Sequence, residues 1–177
     1  MALSRWQRTG TRVLYTNRWW EYRRDDVRLP DGRAWEYNYV HTPGSVMLLP
    51  RLDDERFLLV RQYRYLNDTE SVEFPAGGIR PGSSAKDSAM RELAEETGFA
   101  PGMLRRIGSF NPFNGVTDEL CEVFEASDLS PAEATPDGTE EFELLRCTEE
   151  EIAALVRNGS IWDGMTLAAW MLYRTTC

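Results

Sequence analysis

The alternation of apolar and polar positions along the chain predicts strands and helices that combine in one α/β fold. Short apolar runs predict strands at 45–49, 57–63, 104–110, 120–126 and 142–146. Apolar residues at helical spacing predict helices that end at Thr97, Arg157 and Arg174. Each predicted helix follows a residue type that commonly caps a first turn, namely Ser84, Thr148 and Asp163.

The first 40 residues are rich in aromatic side chains and predict a β-hairpin. The run 27–40 places the turn Pro30-Asp31-Gly32 between two strand-like stretches. We expect residues 1–42 to form an N-terminal β arm and residues 43–177 to form the main domain. The tryptophans of the arm are either buried in the core of the hairpin or exposed at its surface, where an amphipathic ring can contact a ligand.

One predicted helix carries several glutamates on the same face. Glu92, Glu95 and Glu96 are spaced i, i+3 and i+4, which brings their carboxylates together. Like charges so close repel one another, and Mg²⁺ held by a few carboxylates and substrate phosphates relieves that repulsion. A solvated acidic face is the alternative. The preceding loop, 75–78, favours the metal, because its glycines let the backbone approach whatever the glutamates hold.

The segment 77–99 resembles the Nudix signature, G-x5-E-x7-R-E-U-x-E-E-x-G-U, in which U is an apolar residue. The matching places are taken by Gly77, Arg91, Glu92, Leu93, Glu95, Glu96, Gly98 and Phe99. Ser83 replaces the early glutamate, which in the family supports the arginine and the helix start. Asp87, four residues before Arg91, is the candidate substitute. The resemblance implies an α/β/α sandwich with a mixed sheet and a metal-dependent hydrolase.

The resemblance also implies the metal ligands. Glu92 and Glu96 are the expected side-chain ligands, with the carbonyl oxygen of Ala76 as a backbone ligand. Glu95 either ligates as well or forms an ion pair with Arg91, four residues earlier. Mg²⁺ is the expected cofactor, and Mn²⁺ is the alternative cation.

The runs FLLVRQYRY and VEFPAG resemble the ADP-ribose and nucleotide-sugar pyrophosphatase branch of this family. There Arg64 would contact the diphosphate, which suits its planar fork of donors, whereas pairing with a surface carboxylate is the alternative. Glu73, at a strand end beside the metal loop, is a candidate supporting ligand or ribose contact. By resemblance Trp20 and Trp35 are candidates for base stacking. Asn114 stands where the branch usually carries a proline that marks ADP-ribose preference.

The resemblance also implies a catalytic base, or a residue that helps to fix the last metal, at the end of the loop that composition predicts at 128–139. A carboxylate that takes a proton from the attacking water accelerates such a reaction by ~10²–10⁴-fold. Glu140 and Glu141 are both candidates, and Glu141 is preferred because it directly precedes Phe142 as in the family pattern. A solvated acidic loop is the alternative for either residue. Glu96 completes the expected catalytic set.

Composition narrows the class of protein. The chain has 177 residues, of which 42% are hydrophobic and 28% charged, as expected for one globular domain. Its formal net charge of −9 argues against a nucleic-acid partner. The start lacks an apolar leader-like run, and no stretch is apolar for long enough to predict a membrane span. Scattered cysteines without a C-x-x-C pair indicate reduced thiols in a cytoplasmic protein, and the single histidine, His41, excludes multi-histidine metal sites.

These residues together predict a hydrolase that cleaves the pyrophosphate of a nucleoside diphosphate sugar. ADP-ribose is the preferred substrate, GDP-mannose or another nucleotide sugar comes next, and the arm is expected to make a homodimer. Another Nudix pyrophosphatase, acting on coenzyme A or nucleoside triphosphates, is the first alternative. A non-catalytic nucleotide-sensing module is the second, and loss of metal carboxylates would mark it. Glu92, Glu95 and Glu96 are all present.

Overall fold

The computed structural model describes residues 3–133 and 141–176. Two compact units are present. The N-terminal unit holds the chain up to Pro43 together with Asn111–Leu120, and the main unit holds 44–110 and the chain from Cys121 onward. No pattern in the sequence groups 111–120 with the first 43 residues, so this grouping is a finding of the structure.

The N-terminal unit contains an antiparallel sheet in the order β1-β2-β3, formed by Gln7–Thr16, Glu21–Arg28 and Ala34–His41. The predicted hairpin is confirmed as β2 and β3, and Gly32 in its turn has a positive φ of 87°. Strand β1 was not predicted. Nearly all of its residues are exposed, so it lacks the alternation of buried and exposed positions on which strand prediction depends.

The segment 111–120 lies against β3 within the N-terminal unit. The Val40 N–H donates to the Val116 carbonyl at 2.8 Å, and the Asp118 N–H donates to the Val40 carbonyl at 3.2 Å. Nδ1 of His41 lies 2.7 Å from a carboxylate oxygen of Asp118. The only histidine of the chain therefore has a partner in a structural contact between a strand and a loop.

The main unit combines a mixed sheet, an antiparallel sheet and helices. The mixed sheet has the order β7-β4-β9-β8, with β4 parallel to β9, and the antiparallel sheet has the order β10-β5-β6. The strands are β4 Ser45–Pro50, β5 Phe57–Arg64, β6 Thr69–Glu73, β7 Ala76–Gly78, β8 Phe99–Phe110, β9 Cys121–Pro131 and β10 Glu143–Cys147. The helices are α1 Ala85–Thr97, α2 Glu149–Arg157 and α3 Gly164–Thr176.

Strand β4 is buried along its whole length and separates two apolar clusters. Val46 and Leu48 pack with Ala89 and Leu93 of α1. The alternate residues of β4, Met47 and Leu49, belong to the other cluster, to which the strands β5 and β6 and the helices α2 and α3 contribute Phe57, Val72, Ile152 and Ala169. A strand with helices on both faces has apolar residues on both of its faces, as Val46 to Leu49 show. The predicted α/β/α sandwich with a mixed sheet is confirmed.

The predicted helix caps are confirmed by hydrogen bonds. The Ser84 hydroxyl accepts from the Asp87 N–H at 3.1 Å, and the Asp163 carboxylate accepts from the Thr166 N–H at 2.7 Å. Thr148 and Glu151 form a reciprocal capping box at the start of α2. Gly98 ends α1 with a positive φ of 72°. In the part of the chain that the structure describes, no helix is both long and apolar enough to span a membrane.

Two strand boundaries differ from prediction. Strand β8 begins at Phe99 rather than at 104, and β9 continues to Pro131 rather than ending at 126. The predicted loop at 128–139 therefore starts too early, because Phe99 pairs with Pro131 at the open end of a long hairpin. Backbone hydrogen bonds to the partner strand extend these segments, although they carry little apolar alternation.

Candidate active site

Helix α1 is oriented by its apolar stripe. Leu93 and Thr97 are buried, whereas Met90 remains 37% exposed. Glu92 is itself buried, with 9% of its surface exposed. The glutamates therefore face neighbouring protein as well as solvent, which is unlike a solvated acidic face.

Gly77 lies directly against the Glu92 carboxylate. A Cβ at position 77 would overlap the carboxylate carbon and both oxygens of Glu92. The glycine of β7 thus allows the backbone to approach a buried acidic group more closely than any other residue would permit. Burial raises the pKa of the Glu92 carboxyl above its ordinary value, while the charge of Arg91 acts in the opposite direction.

Arg91 and Arg80 bind the acidic groups of α1. The Arg91 guanidinium lies 2.6 Å from Glu92 and 2.7 Å from Glu95, and it donates to the Gly78 carbonyl at 3.3 Å. Arg80 approaches Glu95 at 3.6 Å. Glu95 therefore lies between two arginines. Of the two roles expected for Glu95, metal ligand or ion-pair partner, this arrangement corresponds to the ion pair. Sequence reasoning did not identify Arg80. A basic residue in the loop between Gly77 and α1 is a signal in the sequence that could have indicated a partner for the glutamates.

Asp87, the candidate substitute for the missing early glutamate, has a different role. Its carboxylate accepts a hydrogen bond from the Ser84 hydroxyl at 2.6 Å, and its N–H donates to the same hydroxyl. It therefore helps to fix the start of α1. The backbone carbonyl of Gly78 and the two glutamates orient Arg91 instead.

Glu96 lies beside the backbone of β7. Its carboxylate accepts a hydrogen bond from the Ala76 N–H at 3.3 Å. Ala76 is paired with Met47 of β4, so its backbone position is set by the mixed sheet. This contact brings Ala76 and Glu96, two of the predicted metal-binding residues, together across the junction of β7 and α1.

The candidate metal ligands at the junction of β7 and α1 are of the chemical type that a hard divalent cation prefers. Glu92, Glu96 and the Ala76 carbonyl offer only oxygen, which Mg²⁺ prefers, and the glycine at 77 leaves room for a close approach. Within 3–133 and 141–176, no group of three or more His, Cys, Asp or Glu side chains is arranged to hold a metal ion.

Arg64 forms a two-point ion pair with Glu73. Its Nε donates to one oxygen of Glu73 at 2.8 Å, and its Nη2 contacts the other oxygen. Glu73 is a buried carboxylate, so the arginine does not pair with a surface group. The hydrogen bond that Arg64 donates to Glu73 is the largest cause that raises the pKa of Arg64, and smaller electrostatic contributions come from Asp163 and Glu96. The negative charge of Glu96 therefore favours the protonated guanidinium of Arg64.

Glu141, Glu140, Trp20 and Trp35 are the remaining candidates. Glu141 is exposed and lines a cavity of about 270 Å³, whose other residues are Arg61, Gln62, Tyr63, Glu70, Phe142 and Glu143. Glu140 lies outside the described residues. Trp20 and Trp35 belong to the N-terminal unit, where Trp20 packs on Tyr15 with ring centroids 5.5 Å apart and Trp35 is 57% exposed.

The α/β/α sandwich and the glutamate helix against a glycine strand together define a hydrolase of the Nudix type. The family model described as the NUDIX domain matches residues 41–166. The chain belongs to the Nudix family and is a Nudix pyrophosphatase.

Relatives and a solved structure agree with this assignment. The chain is 35% identical over 147 residues to an ADP-ribose pyrophosphatase of Bacillus subtilis, a match that covers 82% of this chain and 80% of that protein. It is 30% identical over 161 residues to a methanol dehydrogenase activator of Bacillus methanolicus, covering 90% and 87%. The crystal structure of an ADP compounds hydrolase superposes with a TM-score of 0.86 at 22% identity, covering 99% of this chain and 95% of that one. This last likeness concerns the fold.

Proposed function

We propose that this protein is a Mg²⁺-dependent hydrolase of nucleoside diphosphate sugars that converts ADP-ribose to AMP and ribose 5-phosphate. The observation that carries the proposal is the junction of β7 and α1, where Gly77 packs on a buried Glu92 carboxylate and Ala76 contacts Glu96. The similarity to an ADP-ribose pyrophosphatase over most of both chains supports the choice of substrate. GDP-mannose or another nucleotide sugar is the next candidate.

Each residue at the junction has a distinct role in this proposal. Glu92, Glu96 and the Ala76 carbonyl hold the cation, and Arg91 orients Glu92 through its 2.6 Å contact. Glu95, bound between Arg91 and Arg80, stabilises this arrangement. When bound, the cation polarises phosphoryl oxygens and lowers the pKa of the attacking water. Mn²⁺ offers the same oxygen-based chemistry and is the alternative cation.

Arg64 is the proposed diphosphate contact. An arginine presents donors on two edges of a planar group, so one edge can hold a carboxylate while the other faces a phosphate. Glu73 occupies the edge that contains Nε and Nη2. With 44% of its side chain exposed, Arg64 is accessible to an anionic ligand on the side away from Glu73.

Product analysis tests the proposed reaction. Purified protein is incubated with Mg²⁺ and a panel of ADP-ribose, other nucleoside diphosphate sugars, coenzyme A and nucleoside triphosphates in ¹⁸O-labelled water. We expect ADP-ribose to turn over fastest, with label in one of the two monophosphate products. Faster turnover of coenzyme A or a triphosphate would favour another Nudix pyrophosphatase. Absence of turnover across the panel would favour a nucleotide-sensing module.

We propose Glu141 as the general base, with Glu140 as the alternative. Its exposed position two residues before β10 supports access to water. Glu141→Gln is expected to lower kcat by ~10²–10⁴-fold, because a carboxylate that accepts the proton is lost. Steady-state kinetics should show an unchanged dependence on Mg²⁺ concentration. Glu143→Gln, which removes an exposed partner of Arg61, is the matched control. An unchanged kcat for Glu141→Gln with a reduced kcat for Glu140→Gln would transfer the role to Glu140.

We propose that residues 1–42 act as a dimerisation arm for the hydrolase domain 43–177, with Trp20 and Trp35 available for base stacking. The exposed aromatic side chains of the N-terminal unit support an interface, because monomers rarely expose large apolar patches. These side chains include Trp6, Tyr15, Trp19 and Trp35. Light scattering should report twice the mass of one chain. The Trp35→Arg substitution should shift the measured mass toward that of a single chain. Trp162→Arg in the main unit is the control. A wild-type monomer would contradict the arm's proposed role.

We also place the protein in the cytoplasm. Cys121 and Cys147 are free thiols and both are buried, which is the usual state of cysteines in a reducing compartment. Burial raises the pKa of the Cys147 thiol, so it is held in its protonated, unreactive form at neutral pH.

A further inference from the structure

Glu73 is the most deeply buried carboxylate near the proposed diphosphate site. Its side chain is 2% exposed, and a carboxylate buried to this extent requires charged or hydrogen-bonding partners. In the β5–β6 register Glu73 is paired with Val60, and Gln62 and Arg64 follow on the same face of β5. The strand pairing thus places the carboxylate where both polar side chains can reach it.

Both oxygens of Glu73 are engaged by these two residues. Arg64 contacts one oxygen through Nε and the other through Nη2, and the Gln62 amide lies 3.4 Å from the second oxygen. Two parallel contacts fix the plane of a guanidinium as well as its distance. The edge formed by Nη1 and the second N–H of Nη2 takes no part in the Glu73 pair. The direction of this outer edge is therefore set by a carboxylate that is itself buried.

We propose that Glu73 is a positioning residue, which holds Arg64 so that its outer edge receives the diphosphate of the substrate. This inference rests on the proposed function and assigns Glu73 neither to the metal nor to the ribose, the two roles expected from its place in the sequence. The paired strands β5 and β6 then supply both the hydrogen-bond donor to the phosphate and the carboxylate that orients it. The backbone after Glu73 is held as well, since the Phe74 N–H donates to the Thr166 hydroxyl at 3.2 Å.

Glu73→Gln is the decisive variant, because it keeps the shape of the side chain and removes its charge. We expect KM for ADP-ribose to rise about tenfold, the loss that follows when one charge-assisted contact is weakened, with kcat changing much less. The dissociation constant for ADP-ribose, measured by calorimetry in EDTA, should rise by a similar factor. The Mg²⁺ concentration for half-maximal activity should not change. Glu55→Gln, in the turn before β5 with a side chain 80% exposed, is the control and should leave all three values unchanged.

A double-mutant cycle distinguishes an effect of Glu73 through Arg64 from a direct contact between Glu73 and the substrate. If Glu73 acts through Arg64, Glu73→Gln should have no further effect on ADP-ribose affinity in an Arg64→Ala background. A full effect in that background would mean direct contact with the substrate and would overturn the proposal. A shifted Mg²⁺ dependence with unchanged KM would also overturn it, because the residue would then act on the metal.

The positioning role of Glu73 can be tested even if the Glu73→Gln variant does not fold. Should Glu73→Gln fail to fold, Arg64→Lys replaces it, since lysine keeps the charge beside Glu73 but lacks two parallel donors. The same rise in KM is expected, and a wild-type KM would count against the proposal. Binding without hydrolysis by the wild type would contradict the proposed function alone. Equal ADP-ribose affinity in wild type and Glu73→Gln would contradict the positioning role alone, and no binding by the wild type would contradict both.

Discussion

Glu96→Gln is expected to reduce kcat by roughly 10³-fold while the protein stays folded, because the loss of a metal ligand removes several kcal/mol of transition-state stabilisation. The glutamine oxygen can still accept the Ala76 N–H, so the junction of β7 and α1 is retained. Replacing one of three neighbouring carboxylates also relieves repulsion on α1. Thermal unfolding in EDTA should therefore show a Tm no lower than that of the wild type.

Two measurements separate loss of the metal from loss of the fold. Mg²⁺ should raise the Tm of the wild type, since a ligand that binds only the native state stabilises it, and this increase should be smaller in Glu96→Gln. Glu122→Gln is the matched control, because Glu122 is a surface carboxylate that pairs with Arg106 at 2.6 Å. Wild-type turnover by Glu96→Gln at saturating Mg²⁺ would remove Glu96 from the site.

Gly77→Ala is expected to lower both stability and activity. The new Cβ would overlap the Glu92 carboxylate, and a well-packed site that must accept an extra methyl group loses about 1–3 kcal/mol of unfolding free energy. Displacement of Glu92 should also lower kcat by about 10²-fold, the cost of misplacing a catalytic group by roughly 1 Å. The φ of Gly77 is not in the left-handed region, so the effect is one of space and not of backbone strain.

A neighbouring glycine and a double-mutant cycle test this explanation. Gly78→Ala adds the same methyl group one residue later, where nothing lies within 4 Å of the new Cβ, and it should leave stability nearly unchanged. In a Glu92→Ala background the Gly77→Ala substitution has room and should cost less than about 0.5 kcal/mol in chemical denaturation. Additive costs of Gly77→Ala and Glu92→Ala would show that the clash lies elsewhere.

Features that depend on neighbouring residues were predictable from the sequence. The caps at Ser84, Thr148 and Asp163 and the glycine that ends α1 were all confirmed, because each is formed by residues within a few positions of one another. The buried strand β4 and the hairpin of β2 and β3 were predicted for the same reason. Strand β1 and the outer ends of β8 and β9 were missed, since only pairing with another strand gives them their conformation.

Apart from the Arg91–Glu95 ion pair, which its spacing offered as an alternative, the charged partners within the site were beyond sequence reasoning. The alternatives for Arg64, a phosphate contact or a carboxylate partner, could not be decided without the β5–β6 register that brings Glu73 to it. Asp87 was a reasonable partner for Arg91 by spacing, yet it bonds Ser84, and Arg91 reaches Glu92, Glu95 and the Gly78 carbonyl instead. Side chains as long as arginine can reach several acids, so spacing along a helix does not choose among them.

The sequence by itself determined that Glu92, Glu95 and Glu96 share one helical face, that a glycine-rich strand precedes them, and that the chain resembles the Nudix family. Helical periodicity and chain connectivity are local, so they can be read without coordinates. Only the tertiary structure decided that Gly77 touches the Glu92 carboxylate and that a buried Glu73 holds Arg64. These contacts join residues that strand pairing and helix packing bring together, and those long-range interactions select one partner among several that local geometry allows.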